Sequence, residues 1–315
     1  MFKVCFIGVG SIAKRHIENL NSIFRERGEP LQIDILRSGK GKTLDSSILS
    51  VITHQFTDVN DLQDNYYDTI FITNPTEYHL ETLYKVRNKG NAFFIEKPIV
   101  SIAQIPSLKN FKLDENKLYY VACPLRYTKV IQFIKDNIDA TQVYCARCIS
   151  SSYLPDWRPG IDYRKTYSAQ KSLGGGVSID LIHEWDYIKY LFGRPHKVYK
   201  SIKKISALEI NSEDIASYLV EYNDKIVELH LDYFGRKAIR EIQLFTREDT
   251  IVCDLIDSKI KFLYKGDTID LDESRNDYQK EELRYFLNII NKKKKNENTI
   301  GEAYQTLLLT QGELI

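Results

Sequence analysis

The sequence predicts an α/β protein in two parts: a doubly wound parallel sheet over residues 1–123, then an α/β domain with a large open, mostly antiparallel sheet over residues 124–315. Three observations predict it. Short apolar runs alternate with amphipathic stretches as far as Cys123, a glycine-rich turn follows the first run, and after Leu125 the rhythm changes to successive strands joined by turn residues. At 315 residues, 43% of them hydrophobic, the chain is long enough for two cores.

Each element follows from its residues. FKVCFIGV reads as a strand and SIAKRHIENLNSIF as a helix with Ile12, Ile17, Leu20 and Phe24 among its apolar positions. LQIDIL and DTIFIT read as strands, EYHLETLYKVRNKG as a helix, and AFFIE and KLYYVAC as strands. Strand, helix, strand repeated in this way implies right-handed crossovers and a parallel sheet, a nucleotide-binding architecture. Beyond Leu125 come a helix, TKVIQFIKDN, a strand, TQVYCARCISSSY, a polar and aromatic loop, and a helix near Asp180 to Phe192. HKVYKSIKKIS, IASYLVEY, KIVELHLDYF, IREIQLFT, TIVCDLI and KIKFLYK then read as strands joined by ND, GR, RED, DS and GD steps. Two closing helices, Asp277 to Asn291 and Gly301 to Gln311, complete the second domain. Alternating Val227, Leu229 and Leu231 in the open sheet need a cover, which predicts a homodimer or homotetramer.

Composition narrows the partners. With 44 basic and 43 acidic residues, neither nucleic acid nor a membrane surface is expected. The first apolar run spans about seven residues before glycine breaks it, too short for a secretory core or a membrane span. Five cysteines in strand-like sequence argue for reduced thiols and a cytoplasmic location. Cys145 and Cys148 form a CxxC, yet residues three apart on a strand face opposite sides and no histidine pair accompanies them, so no metal site is expected. The run Lys292 to Lys295 reads as a solvated helix C-terminus.

GVGSIA, Gly8 to Ala13, joins the first strand to the first helix, the context a G-x-G-x-x-G/A fingerprint needs. Gly8 supplies the tight turn, Gly10 the close approach of backbone to pyrophosphate, and Ala13 the helix-to-strand packing, with Ser11 and Ile12 between them. The helix N-terminus offers unpaired N–H groups and a positive dipole end to phosphate. LQIDIL ends in RSGKGK, where an NAD-preferring domain carries an acid. Arg37 and Ser38, with Lys40 and Lys42 close behind, suit a 2′-phosphate instead, so NADP is the preferred cofactor and NAD the alternative. The bland reading of RSGKGK is a solvated basic loop.

Ligands of doubly wound sheets bind outside the carboxyl ends of the strands. Asn74, Pro75 and His79 of ITNPTEYH follow one strand there, and Glu96, Lys97 and Pro98 of FIEKP follow another. A partly desolvated lysine beside a cofactor exchanges a proton with a substrate hydroxyl as hydride moves. In GGGVSIDLIHEWDYIKYLFG, Leu181, Trp185, Ile188 and Phe192 form an apolar stripe, and Asp180, His183, Glu184 and Tyr187 a polar one. Such a helix faces a cleft or hydrogen-bonds within a domain interface.

GVGSIAKRH, ITNPTEYH, FIEKP, PLRYTKVIQFIK and GGGxxxD with a nearby His together resemble the Gfo/Idh/MocA family, relatives of glucose-fructose oxidoreductase and inositol dehydrogenase. The resemblance runs in the family's order over nearly the whole chain. It implies a Rossmann domain, a bound dinucleotide, and reversible oxidation of a sugar or polyol hydroxyl. It also implies that Lys97 is the catalytic acid/base, with a bend at Pro98 that is often cis in relatives, and that Asp180 is the family's aspartate. Many relatives place the catalytic His four residues after that Asp; here Glu184 stands there and His183 precedes it. His183 then holds the substrate hydroxyl, and whether Glu184 shares that role stays open.

The loop YLPDWRPGIDYRKTYSAQKSLGGG carries Trp157, Arg158, Asp162, Tyr163, Arg164 and Tyr167. Aromatic faces suit sugar C–H surfaces and arginine forks suit carboxylates and phosphates, so the loop reads as recognising an acidic or nucleotide-linked sugar, or else as oligomer packing. It also resembles a branch of the family associated with bacterial surface-sugar biosynthesis. Arg126 reads equally as a substrate residue or an interdomain one. The expectation is an NAD(P)-dependent sugar oxidoreductase; a redox-neutral epimerase or glycosidase with tightly held cofactor, and a non-catalytic dinucleotide sensor, are the alternatives.

Overall fold

The computed structural model describes residues 1–39 and 43–314, so Lys40 and Lys42 of the basic loop lie outside the described residues. In chain order the principal elements begin with β1 (Phe2–Ile7), α1 (Ser11–Arg27), β2 (Leu31–Leu36), α2 (Ser46–Leu49), β3 (His54–Phe56), β4 (Tyr67–Ile72) and α3 (His79–Val86). β5 (Gly90–Ile95), α4 (Ile105–Lys109), β6 (Leu118–Val121), α5 (Lys129–Asn137), β7 (Val143–Tyr153), α6 (Val177–Asp180) and α7 (Ile182–Phe192) follow. The chain continues through β8 (Lys197–Lys203), β9 (Ile215–Glu221), β10 (Ile226–Asp232), β11 (Phe234–Thr246), β12 (Thr250–Asp254), β13 (Lys259–Phe262), β14 (Thr268–Asp270), α8 (Arg275–Ile290) and α9 (Ile300–Thr310). The short strands β3 and β14 have too few residues to show alternation and are additions to the sequence reading.

The chain divides into two units, Met1–Ala122 with Gln279–Tyr304, and Cys123–Tyr278 with Gln305–Ile315. In the first, six parallel strands lie in the order β3-β2-β1-β4-β5-β6. That order reverses between β1 and β4, the switch point at which doubly wound sheets bind ligands. Parallel register lines up Phe6, Phe71, Phe94 and Tyr120 across four adjacent strands. Phe6 stacks on Phe71 at 4.5 Å and Phe71 on Phe94 at 4.7 Å. Phe286 of α8 meets this ladder edge-on at Phe94, 5.2 Å between centroids, and Tyr120 donates to Glu282 at 3.1 Å. The expectation that both closing helices complete the second domain is therefore corrected: α8 from Gln279 onward and α9 as far as Tyr304 belong to the first unit, and only the rest of α9 to the second. An amphipathic pattern fixes which face of a helix is buried, not which sheet receives it.

The second unit holds an eight-stranded sheet in the order β14-β13-β12-β11-β7-β10-β9-β8, antiparallel except for β10 beside β7. Val227, Leu229 and Leu231 are buried in one core with Val130, Ile131 and Ile134 of α5 and Trp185 and Ile188 of α7. The expectation that these three residues need a subunit to cover them is thus corrected, because the unit's own helices cover that face. The other face carries the row Tyr199, Leu219, Glu228, Arg147 and Gln243, matched by strand register. On it Tyr199 and Ile226 are each 44% exposed and Leu219 41%. No helix among the described residues is long and apolar enough to cross a membrane.

Candidate functional site

Within the first unit, the segments after β1, β2, β3 and β4 line a cavity of about 1110 Å³. Gly8, Gly10, Ser11, Arg37, Ser38, Asn74 and Pro75 all line it. Gly8 sits at φ 82°, and a Cβ there would lie 2.9 Å from Asn74 Cα, so the turn after β1 needs glycine on both counts. Thr73 fastens the same turn by donating to Gly8 O at 2.7 Å. A Cβ on Gly10, by contrast, would meet nothing within 4 Å. Gly10 is also the N-cap of α1, which has no side-chain cap and no acid in its first turn. Open space, free N–H groups and the positive end of a 17-residue helix suit a phosphate, and the cavity is large enough for a dinucleotide's adenosine half.

Other expected cofactor residues lie outside the lining of this cavity. Ala13 is fully buried and packs α1 on the sheet, while Ile12, His79, Glu96 and Lys97 do not line the cavity. His79 is 2% exposed, its Nε2 2.9 Å from Asn74 O and its Nδ1 3.1 Å from Pro98 O. It braces the segment after β4 against the segment after β5. Burial pulls its pKa down, and the Asn74, Ile99 and Pro98 carbonyls and the Glu96 charge oppose that only in part.

Glu96 and Lys97 follow β5, and the Lys97–Pro98 peptide is cis. Sequence reasoning gave His16 no role, yet it is 1% exposed with Nε2 2.6 Å from Glu96 Oε1. The other Glu96 oxygen accepts from the Lys97 backbone N–H at 3.3 Å. Burial pushes the Glu96 carboxyl up, but the His16 hydrogen bond and charge, with Lys97 and His79, outweigh it and hold it below the usual range. The helix that opens at the glycine loop is thereby tied to the Lys97 backbone.

The second unit contains a separate polar cluster. Asp180 accepts from Tyr233 at 2.5 Å, and its charge and hydrogen bond, after burial, push the Tyr167 phenol up. Tyr167 is nonetheless 42% exposed, and Arg158 lies over its ring at 5.6 Å. Trp157 donates to Ser152 at 2.8 Å and meets Tyr233 edge-on. A Cβ on Gly176, φ 145°, would strike the Glu213 carboxylate, which instead accepts from Ser178 at 2.7 Å. Tyr233 was missed in sequence because only the fold brings it, 53 residues away, to Asp180.

Several expected residues are engaged structurally. Both oxygens of Asp186 accept from the Arg126 fork at 2.7 Å, and Tyr163 accepts from the Glu209 N–H at 3.1 Å. The Asp162–Arg164 pair closes on itself, and Arg164 also reaches Glu209 at 2.8 Å. The continuous polar stripe is corrected as well. Leu181 breaks the helix between α6 and α7, Tyr187 is fully buried, and Glu184, also fully buried, lies 2.8 Å from Arg240 Nε as an ion pair without hydrogen-bond alignment. His183, second residue of α7, is half-buried.

Sheet order, glycine turn and cavity define a Rossmann-type nucleotide-binding protein. Residues 2–122 match the Gfo/Idh/MocA family model, described as "Oxidoreductase family, NAD-binding Rossmann fold". No curated protein matches the chain significantly. Among solved structures, levoglucosan dehydrogenase in complex with NADH and levoglucosan is 15% identical with a TM-score of 0.83, covering 99% of this chain and 95% of that one. UDP-N-acetylglucosamine 3-dehydrogenase GnnA from Acidithiobacillus ferrooxidans is 16% identical with a TM-score of 0.76, covering 98% and 95%. The WlbA dehydrogenase from Bordetella pertussis, in complex with NADH and UDP-GlcNAcA, is 17% identical with a TM-score of 0.76, covering 98% and 94%. At these identities the likeness is one of fold.

Proposed function

We propose that the chain is an NADP-preferring sugar oxidoreductase acting on a CH–OH group of an acidic or nucleotide-linked sugar. The carrying observation is the cavity in which Arg37 and Ser38, rather than an acid, follow β2 on the wall next to the glycine turn. The dinucleotide, when bound, supplies the hydride acceptor or donor. Lys97 takes the proton of the reacting hydroxyl in one direction and returns it in the other. Glu96, held ionised and accepting from the Lys97 N–H, fixes the backbone from which that lysine projects. Asp180 and His183 orient the hydroxyl, Asp180 itself being oriented by Tyr233. Trp157, Arg158 and Tyr167 form the recognition loop, where a guanidinium over an aromatic ring suits an anionic sugar. The names of GnnA and WlbA favour a nucleotide sugar over a free polyol. The five cysteines, none of them in a disulfide among the described residues, suit a reducing cytoplasm.

The test is a screen of nucleotide sugars and sugar acids with NADP, followed at the nicotinamide absorbance. A Lys97→Met variant is expected to bind cofactor as the wild type does and to lose about two orders of magnitude or more in turnover. Near-normal turnover in that variant would overturn the role given to Lys97.

A further inference from the structure

Asp58 is a carboxylate in the cavity that the fingerprint does not mention. It follows β3, caps the short turn Val59–Asp61, and holds only the Asn60 N–H, at 2.9 Å, among the described residues. The other carboxylate lining the cavity, Glu81, is paired with Lys85 at 2.5 Å. Asp58 carries no counter-cation among the described residues and keeps hydrogen-bonding capacity beyond its cap bond, which fixes its direction.

Its place in the sheet says what it meets. β1, β2 and β3 are neighbours, so their three loops stand side by side toward the sheet edge. The glycine turn after β1 is the anion site, and Arg37 and Ser38 come next, after β2. A dinucleotide's adenosine half runs in the covalent order phosphate, ribose, base. Laid across those loops, it brings the base to the third, where Asp58 stands.

On the dinucleotide reading above, we infer that Asp58 accepts a hydrogen bond from the exocyclic amino group of adenine and makes this site selective for adenine over hypoxanthine. Hypoxanthine carries a carbonyl oxygen where adenine carries the amino group, so the carboxylate loses a donor and faces a lone pair instead. A hydrogen bond to a charged group is lost, which corresponds to about tenfold or more in affinity.

The experiment is calorimetric titration of the full chain with NADH, NADPH and reduced nicotinamide hypoxanthine dinucleotide, repeated on Asp58→Ser, which retains a capping hydroxyl. The wild type is expected to bind NADH about tenfold or more tighter than the hypoxanthine analogue. In Asp58→Ser that ratio should fall below about twofold with the NADPH-to-NADH ratio unchanged. Equal wild-type affinity for NADH and the analogue overturns the inference without needing the variant. Retained discrimination in Asp58→Ser, or a change in the NADPH-to-NADH ratio instead, overturns it too, the latter by placing Asp58 on the ribose. Binding of none of the three removes the dinucleotide reading as well.

Discussion

Glu96 shows how a single buried contact organises the segment after β5 in the first unit. Its carboxyl is held below its usual value of 4.5, chiefly by His16 against the opposing effect of burial. A depressed carboxyl contributes stability that is present above the unfolded value and lost as pH falls through the folded one. His16→Leu removes the hydrogen bond but not the burial, so its acid-unfolding midpoint should lie at higher pH than that of the wild type. Coincident acid transitions, followed by circular dichroism, would contradict this. Arg37 supports a second prediction at this scale. Arg37→Asp should weaken NADPH binding about tenfold or more, since a carboxylate repels the phosphate that a guanidinium fork receives. An unchanged NADPH affinity would leave Arg37 as a solvated loop residue. The tight turn at Gly8 was legible in the sequence because its spacing is local. His16 was not, because its partner is 80 residues away and meets it only through parallel strand order.

Elements were legible where periodicity is strong, and their neighbours were not. Nearly every strand and helix of more than four residues was visible as an alternation or an amphipathic stripe. The destination of α8 was invisible, because its buried Leu283, Phe286 and Leu287 would suit either core. Phe286→Ala should cost about 3–5 kcal/mol, as expected for a fully packed aromatic, with denaturant titration as the measurement. A loss under about 1 kcal/mol would mean that α8 does not depend on the ladder for its place. The turn between β1 and α1 offers a sharper case. Gly8→Ala meets both a left-handed φ and the Asn74 backbone, so it should lower stability by about 1 kcal/mol or more and weaken dinucleotide binding. The break at Leu181 had no sequence signal, since neither glycine nor proline marks it, and it is why a single polar stripe was read where two helices exist.

At the scale of the whole molecule there are two folded units, one with the cavity proposed for a dinucleotide and the other with a carboxylate that accepts from Tyr233. The open sheet face of the second unit, with Tyr199, Leu219 and Ile226 exposed, leads us to expect a homo-oligomer joined through it. Leu219→Glu with Ile226→Glu should reduce the light-scattering mass to that of one chain, 36.7 kDa, without unfolding; a wild type already at that mass would refute the expectation. The central claim, that the cavity behind GVGSIA takes a dinucleotide through Arg37 and Ser38, is tested most directly by fluorescence titration of the purified protein with NADPH and NADH in parallel. Tight NADPH binding with NADH weaker by about tenfold or more is the predicted result. NADH binding as tightly as NADPH would contradict the role given to Arg37, and binding of neither would contradict the account of the cavity.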